Sequence, residues 1–399
     1  MMKLLTTREA LKKLFDQMTY LYDEKRFPDF VAVYQFILEE EGVTYEYYLS
    51  VADNKAQYAE GKHDSPSLTV YAPVAVWFDI AGGRLNGFWG WLTKKYRIEG
   101  PMSYLRKLNG VFGKQLSIRE IPKIDETTHD YELPQKRIWK KPDKVLVLHG
   151  SPRKESGATY FYLLNLIKGI EKSGVDVELI HIYDKEIKIE SCKGCFSCWK
   201  TTNGQCIIED DVRTLKEKFE DAYLTIFALP LYADSRPSKV QAFIERMFVC
   251  YPRVFTSYDK LTRHPLRDSR ERYIALFAIN GFPEIEHLNP LVDTFKANAR
   301  NLNRPLVATI LRPGAESYIL TPYHRESLKQ ILSALEKAGH ELVERGSVSK
   351  NILNEISDNY GIDYNDWRKS SNLFWYLKVT QEIEDNNGES LNPVTENHH

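Results

Sequence analysis

Four of the chain's five cysteines lie in one short segment, SCKGCFSCWKTTNGQC, at residues 191–206. Two residues separate Cys192 from Cys195 and Cys195 from Cys198, and Cys206 follows after seven more. Structural zinc sites usually combine two separated cysteine pairs, whereas a C-x2-C-x2-C run in one tight loop is typical of ligands to a 4Fe–4S cluster. The spacing therefore favours a cluster first, free thiols or a disulfide next, and zinc last.

The residues between the cysteines also carry information. Gly194 and Gly204 provide the backbone freedom that a loop needs to wrap around a cluster. Phe196 and Trp199 would either shield a cluster from water or pack the loop against a partner subunit. The fifth cysteine, Cys250, follows an apolar helix face and is expected to be an inert buried thiol.

A second segment with chemical potential is VLHGSPRKESGAT, between a predicted strand and a predicted helix. Gly150 permits a tight turn, and Arg153 offers a planar fork that matches a phosphate group. Hydroxyl donors come from Ser151, Ser156 and Thr159. The unpaired N–H groups at the start of the next helix favour an anion. These features predict a phosphate site, and the alternative is an ordinary polar loop with a helix cap.

The elements that would position both loops alternate between strand and helix. Short apolar runs predict five strands: KVLVLHG, VDVELIHI, YLTIFALPLY, RYIALFAIN and PLVATILRPG. Helical periodicity marks TYFYLLNLIKGIEKSG, SKVQAFIERMF, HRESLKQILSALEKAG and DDVRTLKEKFEDA, the last with acidic residues in its first turn. This alternation predicts an α/β domain with a doubly wound parallel sheet, in which ligands bind beyond the carboxyl ends of the strands.

Three loops in this order resemble those of the NAD(P)H-dependent FMN reductases and iron–sulfur flavoproteins, which have a flavodoxin-like fold. The resemblance rests on GSPRKESGAT, ALPLYADSRPSKVQAFIERMF and AINGFPE, and it covers most of residues 144–345. It implies an FMN site whose phosphate loop and ring-contacting residues are Ser151, Arg153, Ser156, Gly157, Thr159, Pro230, Leu231, Tyr232, Asn280, Gly281 and Phe282.

The same resemblance implies a reaction. Hydride would pass from NAD(P)H to FMN and on to an acceptor, with Cys192, Cys195, Cys198 and Cys206 as the ligands of a 4Fe–4S cluster. No G-x-G-x-x-G follows a strand, so NAD(P)H is expected only as a transient co-substrate. The resemblance also implies a homodimer. The alternatives are an electron carrier between protein partners and a lipid carrier whose C-terminal half senses or scaffolds.

The N-terminal region has another pattern. A helix at about residues 6–22 precedes the runs FVAVYQFILEE, VTYEYYLSVAD, KAQYAEGK and SLTVYAP, which predict successive antiparallel strands. One helix rich in aromatic residues, the strand KYRIEG and the helix PMSYLRKL follow. The order of elements over roughly 25–112 resembles a sterol carrier domain, which implies a tunnel for an apolar, quinone- or lipid-like ligand. The candidate lining residues are Trp77, Phe78, Phe88, Trp89 and Trp91, unless they simply fill a compact core.

These patterns divide the chain into a sterol-carrier-like α+β domain (1–115), a linker (116–143), a flavodoxin-like FMN-binding domain (144–385) and a disordered tail (386–399). The net charge of −1 and the pI near 6.8 do not point to nucleic acid or to an anionic membrane surface. No apolar run is long enough to span a bilayer, and the N-terminus does not resemble a signal peptide. We therefore expect a cytoplasmic protein, in which the clustered thiols stay reduced unless they bind something.

Overall fold

The structure is a computed structural model that describes residues 6–20, 22, 29–112, 138–258, 260–268, 270–320 and 324–387. It divides into two units, Met1–Thr128 and His129–His399. The predicted linker lies mostly outside the described residues, and its described end, including Trp139, packs on the core of the second unit. The predicted tail lies outside them too, except for the last two residues of the final helix. Among the described helices, none has both the length and the hydropathy that crossing a membrane requires.

The first unit is a five-stranded sheet with helices. In chain order its elements are α1 (Thr7–Tyr20), β1 (Ala32–Glu40), β2 (Val43–Ala52), β3 (Lys55–Glu60), β4 (Leu68–Pro73), α2 (Val74–Ala81), α3 (Gly87–Leu92), β5 (Arg97–Glu99) and α4 (Met102–Phe112). The strand order is β3-β2-β1-β4-β5. The prediction of successive antiparallel strands is wrong at one pairing, because β4 returns to the free edge of β1 and pairs with it in parallel.

The aromatic segment after β4 forms two short helices, so the prediction of one helix is wrong. Gly83 adopts a φ of +73° after α2, a conformation that glycine reaches without strain. Asn86 then caps α3, because its side-chain oxygen accepts hydrogen bonds from the N–H groups of Phe88 and Trp89 at 3.0 and 3.2 Å.

The core of the first unit is apolar and rich in aromatic rings. Phe36 on β1 lies at its centre, with ring centroids 5.1 Å from Phe15 of α1 and 4.8 Å from Trp77 of α2. All three side chains are buried. Helix and sheet are thus joined by the largest apolar side chains of this unit.

The second unit has an α/β order. Its elements are β6 (Lys144–His149), α5 (Ala158–Glu171), β7 (Asp176–His181), α6 (Ser197–Lys200), α7 (Val212–Asp221), β8 (Leu224–Pro230), α8 (Ser238–Arg246), β9 (Thr256–Tyr258), β10 (Leu261–Arg263), β11 (Tyr273–Ile279), α9 (Asn289–Asn301), β12 (Leu306–Arg312), α10 (Ala315–Leu320), α11 (Arg325–Arg345), α12 (Lys350–Ser357) and α13 (Tyr364–Asn387).

The sheet of this unit confirms the predicted fold. Its order is β12-β11-β8-β6-β7, and every neighbouring pair is parallel. Counted along this unit, that is the 2-1-3-4-5 order of the flavodoxin-like folds. Helices α5, α11 and α12 cover one face of the sheet, and α7, α8 and α9 cover the other.

Helices α5 and α11 cross at two glycines. A Cβ at Gly169 would overlap the carbonyl oxygen of Glu336, and a Cβ at Gly339 would overlap the carbonyl oxygen of Leu166. Both positions therefore require glycine for this backbone approach. Helices α12 and α13 and the β9–β10 hairpin were not predicted from the sequence.

Candidate functional site

The loop between β6 and α5 carries the residues predicted to bind phosphate. Ser151 and Thr159 are buried, and Gly157 directly precedes α5, where the first N–H groups have no partner within the helix. The hydroxyl of Ser156 donates to the carbonyl of Arg153 at 2.7 Å. The guanidinium of Arg153 is exposed and pairs with Glu316 of α10 at 2.5 Å. An anion that binds to this loop would therefore compete with the Glu316 carboxylate for the Arg153 guanidinium.

The loop after β8 contains a tight two-residue turn. The N–H of Leu231, just after Pro230, donates to the carbonyl of Ile279 at 2.8 Å, so this loop begins beside the end of β11. Tyr232 and Ser235 then exchange two backbone hydrogen bonds of 3.0 Å. The residues between them, Ala233 and Asp234, have φ values of +47° and +57°. Tyr232 is held at the turn with its ring 44% exposed.

The loop after β11 presents an amide and an exposed ring. The side-chain nitrogen of Asn280 donates to the carbonyl of Glu284 at 3.3 Å, while its side-chain oxygen is buried without a hydrogen-bond partner. A Cβ at Gly281 would meet nothing within 4 Å. Phe282 is 54% exposed, with its ring 5.0 Å from that of His287. This loop thus combines backbone with free space beside it, a side-chain oxygen without a hydrogen-bond partner and an exposed aromatic ring.

These three loops lie side by side, because β6, β8 and β11 are neighbours and each loop follows a carboxyl end. That edge is where open α/β sheets bind ligands. The residues present fit a flavin nucleotide: the loop after β6 offers a phosphate cradle, and Tyr232, Asn280 and Phe282 offer faces and a polar group for a flat ring. The contact of each predicted residue with FMN stays a prediction.

A buried histidine pair lies behind the phosphate loop. The Nδ1 atoms of His149 and His181 are 2.9 Å apart, and the two residues occupy paired positions at the ends of β6 and β7. Burial and the neighbouring His181 lower the pKa of His149 to about 4. His149 thus has a histidine partner that was not identified from the sequence. The sequence does contain a signal for this pair, because the two strands end in LVLH and ELIH. It can be recognised only if the register of the two strands is known.

The cysteine loop follows β7, as predicted. Cys192 and Cys195 are exposed, Cys198 and Cys206 are half-buried, and all four are free thiols. Burial and the other three thiols raise the pKa of Cys198, whereas hydrogen bonds from Ser197 lower the pKa of Cys195. The donor set suits a cluster, but within the described ranges no three His, Cys, Asp or Glu side chains converge in a metal-binding arrangement. The cluster and its ligands stay a prediction.

The fold of the cysteine loop supports the prediction for its glycines and shows where Trp199 packs. Gly194 and Gly204 have φ values of +60° and +87°, which confirms their role as points of backbone freedom. Trp199 packs within its own chain: its Nε1–H donates to the carbonyl of Tyr251 at 2.9 Å, and its ring stacks 4.5 Å from Phe248. An aromatic anchor thus secures the loop.

The remaining cysteine and the N-terminal aromatic residues complete the set of predicted sites. Cys250 is buried, as predicted, and burial raises the pKa of its thiol to about 12. The five candidate tunnel residues separate into different environments: Trp77 is buried, Phe78 and Trp91 are half-buried, and Phe88 and Trp89 are exposed. The Nε1 of Trp77 is buried without a partner. A common tunnel lined by all five stays a prediction.

Comparisons with known proteins agree with the two-part organisation. Residues 144–277 match the family model "NADPH-dependent FMN reductase", and residues 11–113 match the "SCP-2 sterol transfer family". An iron–sulfur flavoprotein of Archaeoglobus fulgidus is 36% identical over 104 residues, which is 26% of this chain and 45% of that protein. The chain spans about half the length of the curated relatives it matches.

Two solved structures are similar to separate parts of the chain. The FMN-dependent NADH-azoreductase of Bacillus anthracis, in complex with FMN, is 17% identical with a TM-score of 0.37, over 50% of this chain and 99% of that chain. The sterol carrier protein 2-like 2 of Aedes aegypti is 16% identical with a TM-score of 0.24, over 27% of this chain and 99% of that chain. The chain therefore joins an SCP-2-like unit to a flavodoxin-like unit similar to FMN reductases and iron–sulfur flavoproteins.

Proposed function

We propose that the chain is an FMN-dependent oxidoreductase that takes electrons from NAD(P)H and passes them to a small acceptor. The observation that carries this proposal is the meeting of three loops at one sheet edge, after β6, β8 and β11. There the unpaired oxygen of Asn280 lies in the same loop cluster as the exposed rings of Tyr232 and Phe282. The family match over residues 144–277 supports the same chemistry.

FMN bound there would supply reversible hydride and electron transfer, while the protein binds and orients it. Residues 151–159 would hold the phosphate, with Ser151, Thr159 and the start of α5 as donors. The loops at 230–232 and 280–282 would hold the ring, and Asn280 would offer its side-chain oxygen to a ring N–H. NAD(P)H would approach transiently, since the sequence has no dinucleotide fingerprint after a strand.

The cysteine loop would bind a 4Fe–4S cluster through Cys192, Cys195, Cys198 and Cys206. Its spacing and the match to iron–sulfur flavoproteins support this part of the proposal. The exposure of Cys192 and Cys195 favours a second candidate function, electron exchange between protein partners, because electrons can leave through an exposed edge. The SCP-2-like unit would hold an apolar acceptor of the quinone or lipid type. We also propose a cytoplasmic homodimer.

Anaerobic purification followed by an absorption spectrum and analysis of iron and zinc tests the cofactors together. Stopped-flow mixing with NADH and with NADPH then tests the reaction. We expect bleaching of bound flavin by at least one nucleotide. If neither reduces the flavin, the reductase proposal fails and the carrier between proteins is favoured.

Substitution of Arg153 tests the phosphate loop. We expect Arg153→Ala to weaken FMN binding about tenfold or more, because a charged donor to the phosphate is lost. The matched control is Arg345→Ala, which also removes an exposed arginine that pairs with a glutamate. Unchanged flavin affinity in Arg153→Ala would show that the predicted phosphate contact is wrong.

A further inference from the structure

The two ends of the cysteine loop meet at one buried ion pair. Arg246 is the last residue of α8, and Asp210 lies just after the loop. The side chains are 1% and 3% exposed. Arg246 binds the carboxylate through both terminal nitrogens, Nη1 to Oδ2 at 2.8 Å and Nη2 to Oδ1 at 2.9 Å. This two-point geometry is the strongest form of an arginine–carboxylate pair.

The pair also holds the backbone on both sides of the loop. On the incoming side, the carbonyl of Glu190 accepts from Arg246 at 3.0 Å, and the N–H of Glu190 donates to Asp210 at 2.9 Å. On the outgoing side, the carbonyl of Ile208 accepts from Arg246 at 3.4 Å. Since Glu190 precedes Cys192 and Ile208 follows Cys206, the pair closes the loop at its base.

One donor of Arg246 remains after these bonds. Its Nε is buried and has no hydrogen-bond partner. Burial opposes the charge of Arg246, but hydrogen bonding to Asp210 raises its pKa above the usual value. The guanidinium therefore stays charged and bound to Asp210 at the base of the loop.

We propose that Arg246 is a positioning residue of the cysteine loop, which joins the two ends of the loop through Asp210. By fixing both ends of the loop, it sets where the proposed cluster ligands lie, and in this respect the inference deepens the proposed function. The closure of the loop is independent of what the thiols bind.

Hydrogen exchange on the full chain tests the closure. In Arg246→Met we expect the amide of Glu190 to exchange about tenfold faster or more, because its acceptor Asp210 is no longer held. The matched control is Arg304→Met, which removes another buried arginine, one that donates to the carbonyl of Phe219. It should leave the amide of Glu190 unchanged. Equal exchange in wild type and Arg246→Met would overturn the proposal.

A single variant that leaves a buried charge unpaired can fail to fold. The double variant Arg246→Met with Asp210→Leu replaces the pair by apolar groups and then takes the place of the single one. The amide of Glu190 must still exchange faster there, since both the carboxylate and the guanidinium are gone. Protection equal to that of wild type would again contradict the closure.

Iron and sulfide content separates this inference from the proposed function: if the wild type contains no iron, the cluster is excluded but the exchange test of the closure still applies. If iron is present, we expect Arg246→Met to retain about half or less, as for lost supporting contacts in metal sites.

Discussion

The interiors of the two units differ in what they bury. Among the described residues of the first unit, the buried polar side chains are Gln35 and Thr69, and neither is charged. The second unit buries His149 and the guanidinium-bearing residues Arg236, Arg246, Arg272, Arg304 and Arg312. Buried charge needs partners: four of these arginines bind backbone carbonyls or carboxylates, whereas Arg236 lies over the ring of Phe295. The interior of the first unit is therefore apolar, whereas the interior of the second contains charged side chains that hold loops in place.

The tight turns of the two units show the same difference. The β2–β3 hairpin turns through Asp53 and Asn54, at φ values of +49° and +58°. Asparagine and aspartate tolerate this left-handed conformation. The turn after β8 places Ala233 at +47°. Alanine gains no local hydrogen bond there, so this turn at the candidate flavin site is more strained than the β2–β3 turn.

The largest effect should come from the apolar core of the first unit. We expect Phe36→Ala to lower the free energy of unfolding of this unit by about 3–5 kcal/mol, because the ring fills the space between Phe15 and Trp77. Calorimetry should show the loss in one transition only. The matched control is Phe277→Ala, which removes a buried ring from β11 and should lower the temperature of the other transition. If either variant lowered the stability measured in both transitions, the two interiors would not be independent.

Acid should weaken the second unit before the first. His149 is buried with its pKa lowered from 6.5 to about 4, so the native state prefers the neutral ring. Its contribution to stability is present above pH 6.5 and is lost as the pH falls towards 4. The loss is on the order of 3 kcal/mol. Urea unfolding at a series of pH values measures it.

Replacement of that histidine supplies the control. His149→Asn should flatten the pH dependence between 6.5 and 4, whereas His287→Gln, at a half-exposed position, should keep it. If the pH dependence of His149→Asn equals that of wild type, another group is responsible.

Gln35 is a polar side chain buried in the otherwise apolar interior of the first unit, and it gives a further test of the comparison. The side-chain nitrogen of Gln35 donates to the carbonyls of Tyr47 and Gly61, both at 3.1 Å, and its oxygen accepts from the N–H of His63 at 2.8 Å. We expect Gln35→Leu to cost about 1–3 kcal/mol, because it leaves these groups unpaired. A neutral result, measured in the calorimetric transition of the first unit, would show that water replaces the amide.

The smallest effect concerns the turns. Ala233→Gly should stabilise the second unit by about 1 kcal/mol, since glycine adopts the left-handed conformation without strain. Asp53→Gly is the matched change in the first unit and should alter stability by only a few tenths of a kcal/mol, because aspartate already tolerates this conformation. Equal gains in both turns, read from denaturant midpoints, would remove the distinction between them.

The strands of the two five-stranded sheets could be predicted, because most of them are short apolar runs between polar segments. KVLVLHG and RYIALFAIN, for example, became β6 and β11 within a residue or two of the expected ends. Helix α13 could not be predicted, because Phe374, Trp375 and Tyr376 are consecutive and all exposed, so no helical stripe marks it. Periodicity identifies elements that bury one face, and this one does not.

The site was predictable to the extent that it lies in loops after strands. The side chains of Tyr232 and Asn280 were identified from their loops alone. The partners of Arg153 and Arg246 were not, because Glu316 and Asp210 reach them only through the fold. Asp210 was interpreted as a residue favoured by the helix dipole at the start of α7. Its Oδ1 does accept from the N–H of Val212, the first residue of α7, at 3.2 Å, but it is also the carboxylate of the buried pair.

The crossing of α5 and α11 restricts how this sequence can diverge. Gly169 lies eleven residues beyond Ala158, which begins α5 at the phosphate loop, or about 16 Å along the helix axis. A side chain at Gly169 or Gly339 would push the helices apart and swing the start of α5 away from the neighbouring loops. A larger residue can therefore replace either glycine only if the backbone of the opposite helix moves away. Among descendants of this chain, we expect positions 169 and 339 to change together or not at all.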